Sequence, residues 1–123
     1  MDMFDGMAVQ GVILCAASAY EEKYYLNPDF SGLPVSIQEE LQIMCVLYTA
    51  EIGGILTLHF DDCGNLLLHV TARENDLLFD DIGSVLKIKQ IQAEKRELLE
   101  ALELYYKAKF LQEDISDLLG ERE

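Results

Sequence analysis

The stretch that most limits what this chain can fold into is Ser84 to Gln112, SVLKIKQIQAEKRELLEALELYYKAKFLQ. It holds no Gly and no Pro, and Ala, Leu, Glu, Lys, Gln and Arg, the strongest helix formers, fill most of it. Ile88, Ile91, Leu98, Leu102 and Tyr105 recur at intervals of three, four and seven, which keeps them on one side of a helix. The spacing predicts one long helix over 84–112. Everything upstream reads as material for that apolar side to pack on.

The clearest partner lies at 55–71. ILTLHF and NLLLHVT flank Asp61-Asp62-Cys63-Gly64, a hairpin signal. The apolar pattern selects the loop. A three-residue loop 62–64 pairs 60 with 66, 58 with 68 and 56 with 70, so Leu56, Leu58, Phe60, Leu66, Leu68 and Val70 share one side. Thr57, His59, Leu67, His69 and Thr71 share the other. A two-residue loop would place His69 opposite Leu58 and mix the two sides. The buried side fixes the register, which places Gly64 in the left-handed position that ends such a loop.

Leu33-Pro34 opens a second helix over 34–51, with Pro34 suited to the first helical position. Ile37, Leu41, Met44 and Tyr48 form its stripe. Ile43, Cys45, Val46 and Leu47 widen that stripe, so the helix is expected to be covered on more than one side. Gly53-Gly54 ends it. Residues 11–17, GVILCAA, read as a buried strand. Ser18-Ala19-Tyr20-Glu21 has the form of a capping box, which predicts a short helix AYEEKYYL after it. A single helix from Val9 to Leu26 is the competing reading. In 72–83, Asn75 or Asp76 is expected to cap a first turn holding Leu77, Leu78 and Phe79. The tail 113–123 is polar and expected to fray.

The expected architecture is therefore α+β in a single domain, 1–123. A small antiparallel sheet built on the 55–71 hairpin, joined by 11–17, is covered on one face by helix 34–51 and the long C-terminal helix 84–112. A lone hairpin is marginal in water, so the third strand and the helices are needed.

Charge narrows the function classes. The net charge is −14, from 23 acidic and 9 basic residues. That argues against nucleic acid and anionic membranes, which call for a basic face. Residues 1–72 contain a single base, Lys23, whereas 87–112 contain Lys87, Lys89, Lys95, Arg96, Lys107 and Lys109. The long helix is a cationic element on an acidic body, suited to internal or subunit-to-subunit complementarity. Cys15, Cys45 and Cys63 are odd in number and lack CxxC spacing, which fits reduced thiols in a cytoplasm. Met7 to Ala19 is apolar, but Met1 to Gly6 carries two Asp and no base, so it does not read as a signal peptide. No apolar run reaches the length of a membrane span.

Few residues suggest chemistry. His59 and His69 are diagonal neighbours on the outer side of the hairpin, with Asp61 beside them. Together they are the candidate divalent-metal or small-ligand site, although a third strong ligand is missing. Cys63 is a turn thiol beside two acids, which disfavour a thiolate. Glu74, Asp76, Asp80 and Asp81 lack the spacing of a calcium loop. No nucleotide or nucleophile motif occurs, so no catalytic residue and no cofactor is expected.

KYYLNPDF, ELQIMCVLYT, GGILTLHFDDCGNL and IGSVLKIKQIQAEKRELLEALELYY resemble a family of small, acidic, uncharacterised proteins from clostridial bacteria, over most of Lys23 to Tyr106. The resemblance implies a bacterial cytoplasmic protein and brings no site residue with it.

Association is the remaining expectation. A straight helix over 84–112 would span about 43 Å, against about 35 Å for a globule of this length. One end should overhang, past the polar segment Gln92–Glu97. The expected role is a non-enzymatic interaction or scaffold module, with an unknown protein partner, that forms a homodimer. Leu98, Leu102, Tyr105, Tyr106 and Phe110 are its expected interface.

Overall fold

A computed structural model describes residues 11–111. The expected fraying of 113–123 lies outside the described residues. Four strands, β1 (Val12–Ser18), β2 (Lys23–Leu26), β3 (Ile55–Phe60) and β4 (Leu66–Thr71), form one antiparallel sheet in the order β2-β1-β3-β4. Helix α1 (Val35–Ile52) separates the two hairpins. Helices α2 (Asp81–Glu94) and α3 (Arg96–Lys109) follow the sheet. The class is α+β.

The β3–β4 hairpin has the register that the apolar alternation dictates. Phe60 faces Leu66, Leu58 faces Leu68 and Leu56 faces Val70. Gly64 sits at φ +88°, where a side chain would collide with Lys107. The Asp61 carboxylate closes the loop by accepting from the backbone N–H of Cys63 and of Asn65, both at 2.9 Å. These bonds, led by those from Asn65, hold its carboxyl below the usual carboxylate range.

The inner side of the sheet supplies Cys15, Ala17, Leu56, Leu58, Phe60 and Leu66 to one core shared with all three helices. α1 contributes Leu41, Met44, Cys45, Tyr48 and Ile52. Pro34 sits one position earlier than expected, as the N-cap. Cys15 and Cys45 meet in this core with their sulfurs 3.9 Å apart.

Two expectations are corrected. Residues 19–26 are not a helix. Ser18 Oγ accepts from the Glu21 N–H, but the bond closes a tight turn in which Glu22 takes φ +52°, and the chain returns as β2. Tyr24 and Leu26 alternate with Lys23 and Tyr25, so half of that segment can pack on the core while the other half faces away. A helix would have lost the pairing of β1's free edge.

The long helix is the second correction. It begins at Asp81, capped by the Asp80 carboxylate accepting from Gly83 N–H at 2.8 Å, and it breaks at Lys95 (φ −108°, ψ 22°). Asp76 forms a local turn by accepting from Leu78 N–H instead of starting a helix. Lys95 falls between Ile91 and Leu98 on the apolar side of the segment, with its side chain 36% exposed. The break lets it reach Glu40 on α1 at 3.1 Å, and it falls within Gln92–Glu97, the least apolar part of the segment. α2 runs antiparallel to α1, joined near its start by Tyr48–Ser84 (2.7 Å) and by Lys87–Glu51 (3.3 Å). α3 then turns across β4. The length argument for an overhang took 84–112 as one straight helix, and the break at Lys95 replaces it with two of 14 residues each.

Candidate functional site

The outer side of the hairpin is the first place to look. His59 faces Leu67 and Thr57 faces His69 across the ladder. The two imidazoles are therefore neighbours, edge-on, with ring centroids 6.2 Å apart. Both rings lie on the expected side, but that side is not open throughout. Thr57 is 0% and His59 6% exposed, while His69 is half-buried. Asp61 is committed to its loop. Among the described residues no group of three His, Cys, Asp or Glu is placed to hold a metal ion. Of the acidic run before α2, Asp76 accepts from the Tyr20 hydroxyl at 2.6 Å and Asp80 caps the helix.

The expected interface residues lie elsewhere than expected. Leu98, Leu102 and Tyr106 are buried in the chain's own core. Tyr105 and Phe110 are half-buried around Phe30. The Phe60 and Tyr106 rings stack 4.1 Å apart at 5°, and Tyr106 stacks on Phe110 at 5.2 Å. This aromatic column satisfies the apolar side of α3 within one chain.

A groove of about 580 Å³ runs between the β1–β2 turn and α1, lined by residues that include Lys23, Tyr24, Val46 and Thr49. Among the described residues its Tyr24 hydroxyl, buried at the groove, has no hydrogen-bond partner. Burial, reinforced by Cys15 and Cys45, pushes its pKa well above the usual phenol range. The Cys45 thiol is likewise pushed up, by its hydrogen bond with Cys15 and by burial.

The largest unsatisfied feature is apolar. α1 leaves Val35, Ile43, Val46 and Leu47 exposed, and so are Leu77 and Leu78 in the turn before α2 and Ile82, Val85 and Leu86 in its first turns. Leu47 and Ile43 lie one and two turns before Glu51 on α1. They share its α2-facing flank, because Glu51 and Glu40 both pair with α2-side lysines. Ile43 and Leu47 thus border the seam with α2, whereas Val46 lines the groove beside the β1–β2 turn. Scattered apolar residues are normal on a surface, whereas here they concentrate on two adjacent helices. The sequence carried the α1 half of this signal, since its apolar residues surround the helix. The α2 half was missed because Ile88 and Ile91 draw attention to the opposite side.

The fold and these surfaces define a small α+β domain with exposed apolar side chains on α1 and α2. The chain belongs to DUF6145, a family of unknown function, whose model matches residues 11–114. Neither a curated protein nor a solved structure matches it. Among the described residues no helix is long and apolar enough to cross a membrane.

Proposed function

We propose that this protein is a non-enzymatic, cytoplasmic interaction module that self-associates through the outward side of α1 and α2. The observation that carries the reading is the set of large apolar side chains there, with Ile82 77%, Leu86 63%, Leu47 60% and Ile43 59% exposed. Burying one such side chain is worth about 1.5–3 kcal/mol, so several together outweigh the cost of pairing two acidic chains. The free thiols of Cys15, Cys45 and Cys63 suit a reducing compartment, and the net charge of −14 disfavours nucleic acid as the partner. This seam is preferred to the expected interface of Leu98, Leu102, Tyr105, Tyr106 and Phe110, because Leu98, Leu102 and Tyr106 are buried in their own core.

The test is a pair of exposed substitutions, Ile82→Asp and Leu86→Asp, followed by light scattering after gel filtration and by circular dichroism. The reading expects a folded monomer from the double variant and a dimer from the parent. A folded variant that stays dimeric places the interface elsewhere.

A further inference from the structure

We infer that the groove between the β1–β2 turn and α1 binds a free α-amino acid with a large apolar side chain. The inference stands apart from self-association. The groove takes Val46 from α1, whereas Ile43 and Leu47 lie on the flank toward α2. At about 580 Å³ it falls within the roughly 300–1,000 Å³ of small-molecule sites.

Such sites combine an apolar lining with a few convergent polar groups. Gln42, Val46 and Ala50 follow at four-residue intervals on α1, so they form one row along the groove wall. Val46, Ala50 and Tyr24 supply the carbon surface. Glu22, Lys23 and Gln42 supply polar groups that the fold does not use. Among the described residues Glu22 and Lys23 have no ion-pair partner and the Gln42 amide has no hydrogen-bond partner, whereas Lys87 and Lys95 are both paired. The Tyr24 hydroxyl, buried at the groove, also has none. A buried donor is costly to leave unpaired, so a ligand that brings it an acceptor gains affinity. Glu22 in addition holds φ +52°, which glycine or asparagine adopts more easily. The turn alone does not call for a glutamate, and a carboxylate at the groove gives it a use.

The charges choose the class of ligand. A plain carboxylate would answer Lys23 and the Tyr24 hydroxyl, but it would leave Glu22 unpaired and add charge to a chain already at −14. A plain amine would answer Glu22 alone. A zwitterion answers both and adds no net charge. Its carboxylate accepts from Lys23 and from the Tyr24 hydroxyl, and its ammonium donates to Glu22. Glu22 and Lys23 are adjacent in the chain, so the charges that meet them must also be close together, as they are on a single α-carbon. The apolar side chain then lies along α1 against Val46 and Ala50.

The test is calorimetric titration of the full chain with L-phenylalanine and L-leucine, beside 3-phenylpropionate and 2-phenylethylamine, which each lack one of the two charges. The expected result is saturable one-to-one binding of at least one of the amino acids, and binding weaker by about tenfold or more for each single-charge analogue. Lys23→Gln and Glu22→Gln, both at exposed positions, are each expected to weaken binding about tenfold with the thermal midpoint of the free protein unchanged. Tyr24→Phe is expected to weaken binding without lowering that midpoint, because the hydroxyl it removes supports nothing in the free fold. No saturable binding of either amino acid at millimolar concentration overturns the site. Equal binding of 3-phenylpropionate overturns the zwitterion class. Binding that survives both Lys23→Gln and Glu22→Gln unchanged overturns the assignment to this groove. None of these results depends on whether the chain is a monomer or a dimer.

Discussion

The Glu103 carboxylate on α3 accepts a hydrogen bond from the backbone N–H of Leu66 at 2.7 Å. Leu66 begins the edge strand β4, and this N–H points away from β3. The bond caps the open edge where it starts, and it ties α3 to the sheet at the level of the aromatic column. An unpaired edge invites strand addition, so the carboxylate protects the edge as well as docking the helix. Glu103→Ala is expected to lower stability by about 1–2 kcal/mol, with Glu103→Gln losing less because its amide oxygen still accepts. Chemical denaturation of the three proteins checks this.

Tyr48 and Ser84 join α1 to α2 by a buried hydroxyl pair. Tyr48→Phe and Ser84→Ala each leave one buried hydroxyl unsatisfied, at about 1–2 kcal/mol apiece. The double variant leaves none. Its cost is therefore expected to fall short of the sum, and a double-mutant cycle in urea measures the difference.

Leu58 is 0% exposed at the centre of the core side, whereas Leu67 is 42% exposed on the other side of the same hairpin. Leu58→Asp is expected to abolish folding, since an unpaired carboxylate cannot be buried there. Leu67→Asp is expected to leave the thermal midpoint nearly unchanged. Thr57 cannot serve as the exposed control that the alternation suggests, because it is as buried as Leu58. Comparable unfolding of both variants contradicts the assignment of sides.

The Tyr20 hydroxyl donates to Asp76 at 2.6 Å and accepts from Arg73 N–H at 2.8 Å, with the Arg73 guanidinium 4.2 Å over the ring. The Tyr20 bond holds the Asp76 carboxyl below its usual range. Its contribution is present above the ordinary carboxylate pKa and lost as pH falls through the lowered one. Burial and Asp76 raise the Tyr20 pKa, so its contribution is present below the ordinary phenol value and lost as pH rises through the raised one. Tyr20→Phe is expected to flatten the stability profile at both extremes. Thermal midpoints across the acid and alkaline ranges show whether it does.

The hairpin and its register were legible because alternation in Leu56–Phe60 and Leu66–Val70 is a local property that packing had no reason to override. The path of 18–26 was not. Ser18-x-x-Glu21 closes a turn as readily as it caps a helix, and the choice was made by β1's unpaired edge, which lies outside the segment. The break at Lys95 left a partial trace in the weakly apolar run Gln92–Glu97, but its direction depends on Glu40, far away in sequence. Leu98, Leu102 and Tyr106 are core, and the exposed apolar side chains are instead Ile82, Val85 and Leu86, whose spacing looked like ordinary surface. His59 and His69 were placed correctly relative to each other, whereas the burial of His59 was not foreseeable from alternation alone.

The central claim, association of identical chains through the outward side of α1 and α2, is tested most directly by multi-angle light scattering of the unmodified protein. Measured at tens of micromolar and moderate salt, the account predicts twice the chain mass, falling to the single-chain mass for Ile82→Asp with Leu86→Asp. A parent that elutes at the mass of one chain throughout a dilution series contradicts it.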